Sequence, residues 1–202
     1  GQRSTPLNTL EAAPLVYEQG TAVLDWGIRV IESVQEILPA VATPLFRSIT
    51  ILGDPVSYMI MIAFLYWCID ERHAARTGII LLLSAGINTI LKNLLAVPRP
   101  FVRKPGLNLI HETGYATPSA HAQNSAAFWP AALVRVPGKA AKAAMIVLPL
   151  LIGISRVYLG VHYPTDILSG WVIGTLISLI ALIALPRIRD RLAPMIHARF
   201  PD

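Results

Sequence analysis

A single cysteine, Cys68, is present. This excludes an intramolecular disulfide and any cysteine-based metal site. It lies in an apolar run, where an inert buried thiol is expected. Charge is scarce too: Asp, Glu, Lys and Arg make up 14% of the chain, against the ~25% of an ordinary soluble domain. The 54% of hydrophobic residues are gathered into long blocks, so a membrane class leads. No low-complexity tract or long repeat occurs, and nowhere do aromatic and basic residues interleave. The net charge of +5 is therefore not read as a nucleic-acid footprint. The basic residues sit instead at the ends of apolar blocks, as topology signals and contacts to membrane lipids do.

Five apolar segments qualify as spans, at about 54–69, 74–97, 118–135, 140–158 and 165–185, with Pro186 closing the last. Residues 1–20 are polar and mixed, an arm or a short helix. Residues 22–47 carry Asp25, Arg29, Glu32 and Glu36 at helical spacing opposite Val23, Trp26, Val30, Ile31, Val34 and Ile37. They are expected to form an amphipathic helix lying at the interface, broken by Pro39 and Pro44. If each apolar segment crosses once, Arg72, Arg76, Arg135, Lys139, Lys142, Arg187, Arg189, Arg191 and Arg199 share one side, and Lys92, Arg99, Arg103, Lys104 and Arg156 the other. The excess of positive charge marks the first side as cytoplasmic. The fold class expected is thus all-α: a polytopic membrane bundle of five to six transmembrane helices with an N-terminal interfacial helix. The arm and that helix occupy 1–47, a catalytic domain 48–186 and a basic cytoplasmic tail 187–202.

Three clusters fall on the second side: Lys92 to Arg99-Pro100, Pro118-Ser119-Ala120-His121, and Ser155-Arg156 followed by His162 and Asp166. Thr117-Pro118-Ser119 reads as a helix start, with Thr as N-cap and Pro at the first helical position. Free backbone N–H groups there suit an anion. Any one of these residues alone has a mundane reading: an arginine at a helix end usually snorkels. Two histidines, one carboxylate and three cations converging from three helix ends at membrane depth are better explained as a phosphate pocket.

Lys92-x6-Arg99-Pro100, Pro118-Ser119-x-His121 and Ser155-Arg156-x5-His162-x3-Asp166 resemble the three signature motifs of the type-2 phosphatidic acid phosphatase (PAP2) superfamily, in its membrane-integrated lipid phosphatase branch. Ala120 stands where the family usually has glycine. The resemblance covers about residues 50–185 and leaves 1–47 unexplained. It implies a helical bundle and a phosphatase acting on a lipid phosphate or pyrophosphate, such as undecaprenyl pyrophosphate, phosphatidylglycerol phosphate or phosphatidic acid. A phosphotransferase using the same site is the alternative. His162 is then the nucleophile that becomes phosphohistidine, Asp166 its orienting acid, and His121 the general acid and base. Lys92, Arg99, Ser119, Ala120 and Arg156 bind phosphate, the first-turn backbone amides contributing. The implied location is the cell membrane, with the active site on the extracytoplasmic face. The apolar spans argue against the soluble acid phosphatases and vanadium haloperoxidases that share these motifs.

Among the remaining polar residues, His111 and Glu112 are read as a solvated loop in preference to headgroup contacts. Tyr115 is read as rim, and Ser84, Asn88 and Thr89 as helix–helix hydrogen bonding. The carboxylates near the site, Glu112, Asp166 and Asp54, are a poor inventory for a hard cation. No cofactor and no metal are expected. Phosphatase turnover should therefore persist in EDTA; activity lost in chelator and restored by Mg²⁺ would contradict this reading.

Overall fold

The computed structural model describes residues 21–199, all-helical among them with connecting turns. The expected arm at 1–20 lies outside the described residues. In chain order the helices are α1 Thr21–Ile37, α2 Thr43–Ile51, α3 Pro55–Cys68, α4 Glu71–Leu95, the short α5 Pro100–Arg103, α6 Ala120–Leu133, α7 Lys139–Tyr158 and α8 Pro164–Arg199. A 3-10 turn, Ala40–Ala42, joins α1 to α2. Among the described residues, three stretches are long and apolar enough to cross a membrane: Glu71–Arg103, Lys139–Tyr158 and Pro164–Arg189. The pair Ala40–Ile51 and Pro55–Cys68, bent by 49°, makes a fourth if it counts as one broken span.

At 14 residues, α6 rises only about 21 Å at 1.5 Å per residue, short of a ~30 Å hydrocarbon core. It is the inner helix of the bundle. Ala122, Gln123, Ser125, Ala126, Ala127, Phe128, Ala131 and Ala132 are all buried, against α4, α7 and α8. Small residues let the backbones approach. A Cβ on Gly174 of α8 would lie 2.1 Å from the Gln123 carbonyl oxygen, and one on Gly170 would lie 2.9 Å from the Ser119 carbonyl. Where α7 meets α8, Gly153 opens room for Trp171, whose ring carbon Cζ2 would be 2.5 Å from a Cβ; the indole Nε1–H donates to the Pro149 carbonyl at 3.0 Å. Two of the three expected polar links join α4 to α6: Ser84 donates to Asn124 at 2.8 Å, and Asn88 to Gln123 at 2.9 Å, whereas Thr89 donates to the Ala85 carbonyl of its own helix at 3.0 Å.

Several expectations are corrected. Pro186 does not end the last helix; α8 runs through it to Arg199. A proline removes one hydrogen bond, and neighbouring helices make this tolerable in apolar helices. Pro44 does not break a helix but sits in the first turn of α2, where its missing N–H costs nothing. The boundary expected at residue 47 falls inside α2. Cys68 is exposed: in a membrane helix an apolar neighbourhood marks a lipid-facing surface as readily as a core.

The N-terminal helix α1 is amphipathic but not simply laid on the bundle. Ile31 is fully buried, whereas Val23, Trp26 and Ile37 are exposed. Its polar side grips the loop after α5. Asp25 pairs with Arg103 at 2.6 Å and Glu32 with Lys104, while Gln35 donates to the carbonyls of Leu107 and Tyr158 at 3.0 and 2.8 Å.

The α6–α8 crossing generates a direct test. Gly174→Ala should destabilise the protein by about 1–3 kcal/mol, as overpacking does, seen as a lowered unfolding temperature in detergent. An unchanged transition would show that the two helices do not depend on this contact.

Candidate active site

One end of the bundle holds a cavity of about 610 Å³. It receives Lys92 from the end of α4, Arg99 from the extended segment before α5, Ala120 and His121 from the first turn of α6, Arg156 from the last turn of α7, and His162 from the turn before α8. Six of the eight residues singled out in the sequence thus line one space. The other two, Ser119 and Asp166, stand behind it, each 0% exposed.

Asp166 organises the rear wall. Oδ2 accepts from the His162 Nδ1–H at 3.2 Å and from the Tyr163 backbone N–H at 2.8 Å, while Oδ1 accepts from the Thr117 hydroxyl at 2.5 Å. A His162 ring that donates through Nδ1 keeps its lone pair on Nε2, and Arg99 Nη1 lies 3.2 Å from that nitrogen. Burial first, then the charges of Arg99, Arg156 and Lys92, hold the His162 imidazole well below its ordinary pKa. The ring is therefore neutral and available as a nucleophile near neutral pH.

Ser119, and not Thr117, caps α6: its Oγ accepts from the Ala122 N–H at 3.4 Å, and its own N–H donates to the Asp166 carbonyl at 3.0 Å. The hydroxyl is turned to the helix end, since Ser119 precedes the first turn whose N–H groups need acceptors. Thr117 is left to hold Asp166.

Lys92 and Arg99 are fixed by backbone oxygens, Arg156 by side chains. Lys92 Nζ donates to the carbonyls of Tyr115 and Ala116 at 2.6 and 3.2 Å. Arg99 donates to those of Thr113, Gly114 and Val161. Arg156, 2% exposed, donates from Nη1 to the Thr50 hydroxyl at 3.0 Å, and its Nε has no hydrogen-bond partner among the described residues. Carbonyl dipoles position Lys92 and Arg99 without neutralising them, so positive charge remains for an anion.

Two carboxylates in the cavity wall had no assigned role in the sequence reading. Glu112 is not a freely solvated loop residue: its carboxylate pairs with Arg156 and lies 3.6 Å from Arg99 Nη2. Burial pushes this carboxyl upward, but the two guanidinium groups outweigh it and hold the pKa below the ordinary value. Asp54, in the break between α2 and α3, accepts from His121 Nε2–H at 2.8 Å. Neither residue belongs to a motif, and neither is near its partner in sequence. The only sequence signal was an acidic residue in a polar segment on the same side as the cations.

The profile of the PAP2 superfamily matches residues 73–190, more than half of the chain, and the chain belongs to that superfamily. Phosphatidylglycerophosphatase B of Bacillus subtilis (strain 168) is 36% identical over 109 residues, 50% of this chain and 54% of that protein. Sphingosine-1-phosphate phosphatase 2 of Homo sapiens is 32% identical over 66% of this chain and 35% of its own length. The chain therefore spans about half, or less, of these curated relatives. Among solved structures, the transmembrane PAP2 type phosphatidylglycerolphosphate phosphatase from Bacillus subtilis superposes with a TM-score of 0.73 at 25% identity, covering 86% of this chain and 90% of that one. Aquifex aeolicus LpxE shares the fold, with a TM-score of 0.69 at 21% identity over 76% of this chain and 93% of that one. With its apolar helices, this places the protein in a membrane.

Because Glu112 occupies the arginines that an incoming anion would use, Glu112→Gln should tighten the binding of inorganic phosphate by about tenfold, the scale of one charge-assisted hydrogen bond. Titration calorimetry in detergent measures it. Unchanged or weaker binding would mean that Glu112 props the arginines in place and does not compete with phosphate.

Proposed function

We propose that this protein is a membrane-embedded lipid phosphate phosphatase that removes a terminal phosphoryl group from a phosphomonoester or pyrophosphate headgroup through a phosphohistidine on His162. One observation carries the reading: a buried His162, held through Nδ1 by Asp166, offers Nε2 to a cavity that also receives three cations and a second histidine. The names of the relatives, lipid phosphatases in several cases, support the same class.

In the first step Nε2 of His162 attacks phosphorus, the N–P bond forms and the bond to the leaving oxygen breaks. Lys92, Arg99 and Arg156 neutralise the three non-bridging oxygens, which is the main catalytic demand of phosphoryl transfer. First-turn amides at Ala120 and His121 add dipoles of the same sign, and Ser119 supports that turn as its cap. His121 gives a proton to the leaving oxygen. In the second step it takes one from water, which cleaves the N–P bond and releases phosphate. The positive charge of the cavity supplies from side chains what a metal ion supplies in other phosphoryl transferases.

The site is proposed to lie on the extracytoplasmic face of the cell membrane. Asp70 and Arg135 approach to 3.8 Å, and Arg72, Arg76 and Arg189 border one crevice at the foot of α4 and α8. These residues belong to the end of the bundle opposite the cavity. The positive-inside rule makes that end cytoplasmic, so the cavity meets lipid phosphates of the outer leaflet.

His162→Ala should abolish turnover while leaving the unfolding temperature near that of the wild type, and ³²P-labelled phosphoenzyme should be trapped in His121→Ala but not in His162→Ala. Turnover near the wild-type rate in His162→Ala would remove the assignment. For sidedness, single cysteines at Asn108 and Lys139 in a Cys68→Ala background can be probed with an impermeant thiol reagent on intact cells. Labelling at 108 only is expected; labelling at 139 only would reverse the orientation.

A further inference from the structure

We propose that Asp54 governs the leaving-group side of this site: it positions His121 and, as a carboxylate, selects phosphomonoesters of neutral alcohols over diphosphates. The inference deepens the phosphatase reading and rests on it.

Asp54 occupies the N-cap position of α3, immediately before Pro55. An aspartate there ordinarily accepts a hydrogen bond from the first turn of its own helix. Asp54 makes none. Its Oδ1 accepts instead from Nε2–H of His121, 67 residues away, at 2.8 Å. The chain is shaped for this. Between α2 and α3 it turns by 49°, and a Cβ on Gly53 would lie 2.8 Å from His121 Cδ2 and 2.8 Å from Ile152 Cγ2. Only glycine lets the break close over the imidazole. With Nε2–H held by Asp54, Nδ1 is the nitrogen left to carry a proton to the leaving oxygen. The site thus holds two His–Asp pairs with different tasks: one orients the nucleophile, the other the acid.

The charges of the cavity are divided in the same way. Lys92, Arg99 and Arg156 surround the phosphoryl group that His162 would take. The other cations nearby are committed elsewhere and do not line the cavity: Arg103 to Asp25, Lys104 to Glu32, and Arg47 to the Leu109 carbonyl at 2.5 Å. Beside His121 stands Asp54, its side chain 43% exposed. When a phosphomonoester reacts, the P–O bond breaks, the proton of His121 passes to the oxygen, and a neutral alcohol leaves past Asp54. When a diphosphate reacts, the group that leaves is itself a phosphate. It must sit against Asp54 with no cation assigned to it, and like charges in a partly desolvated cavity repel.

Farnesyl phosphate and farnesyl diphosphate, which share one tail, make the test with the purified protein in detergent. The wild type should hydrolyse the monophosphate with a kcat/KM at least tenfold higher. Asp54→Asn should lower kcat on the monophosphate and shrink the monophosphate-to-diphosphate ratio by about tenfold, while Asp54→Glu keeps the preference. A residue that merely supports the fold would lower both rates equally, so an unchanged ratio in a folded Asp54→Asn protein overturns the proposal. Where Asp54→Asn fails to fold, judged by loss of a cooperative thermal unfolding transition, the wild-type ratio and Asp54→Glu decide. A wild type that treats the two esters alike, or prefers the diphosphate, overturns this proposal and leaves the phosphatase reading standing. A wild type that hydrolyses neither removes the phosphatase reading, and this proposal with it.

Discussion

The fully buried carboxylate of Asp166 is the constraint on which the rest of the site depends. A buried charge is tolerated only when its oxygens are satisfied. Here one oxygen takes a hydroxyl from Thr117, and the other takes the His162 ring and the Tyr163 N–H. Those donors come from two separate stretches of chain, so satisfying the charge also locks the start of α6 against the start of α8. The Ser119 N–H to Asp166 carbonyl bond closes the same joint. Such a joint requires two helix backbones nearly in contact, and Gly170 and Gly174 provide this by presenting no side chain to Ser119 and Gln123.

From that joint follows the electrostatic plan. Three cations brought to one end of an apolar bundle would repel one another if nothing answered them. Carbonyls answer Lys92 and Arg99 in part, and Glu112 answers both arginines. Glu112 thus answers part of this positive charge from within the protein. In the proposed function a phosphate exchanges with this carboxylate, which favours a ligand with more charge and more oxygen atoms than a carboxylate has. In the role proposed for Asp54, the same principle extends to the leaving-group side, where a carboxylate and not a cation is placed.

Much of this was legible in linear order. The apolar blocks marked α3, α4, α6, α7 and α8 to within a few residues at most ends, because lipid imposes a compositional rule on helices that face it and the core imposes the same rule on α6. The three motifs marked His121, His162 and the cations as one group, and these residues line one cavity. The misreadings have a common physical origin. Cys68 was expected inside and lies outside, since periodicity says little when lipid and core are equally apolar. Pro44 and Pro186 were expected to stop helices, but a proline acts on one turn, and neighbours decide whether the helix continues. Thr117 was expected to cap α6, but a buried aspartate competes for its hydroxyl and Ser119 is nearer the free N–H groups.

The sequence by itself determined that this is a membrane protein with histidines and cations gathered at one end, since composition and residue chemistry are local properties of the chain. Tertiary structure alone decided what stands opposite those residues. It brought Asp54 to His121 across 67 positions, Glu112 to Arg156 across 44, and α1 onto the loop after α5. Pairings of this kind rest on single charged residues in irregular segments, which carry no period and no motif. They exist only because the close crossing of α6 and α8 fixes where the other helix ends must lie.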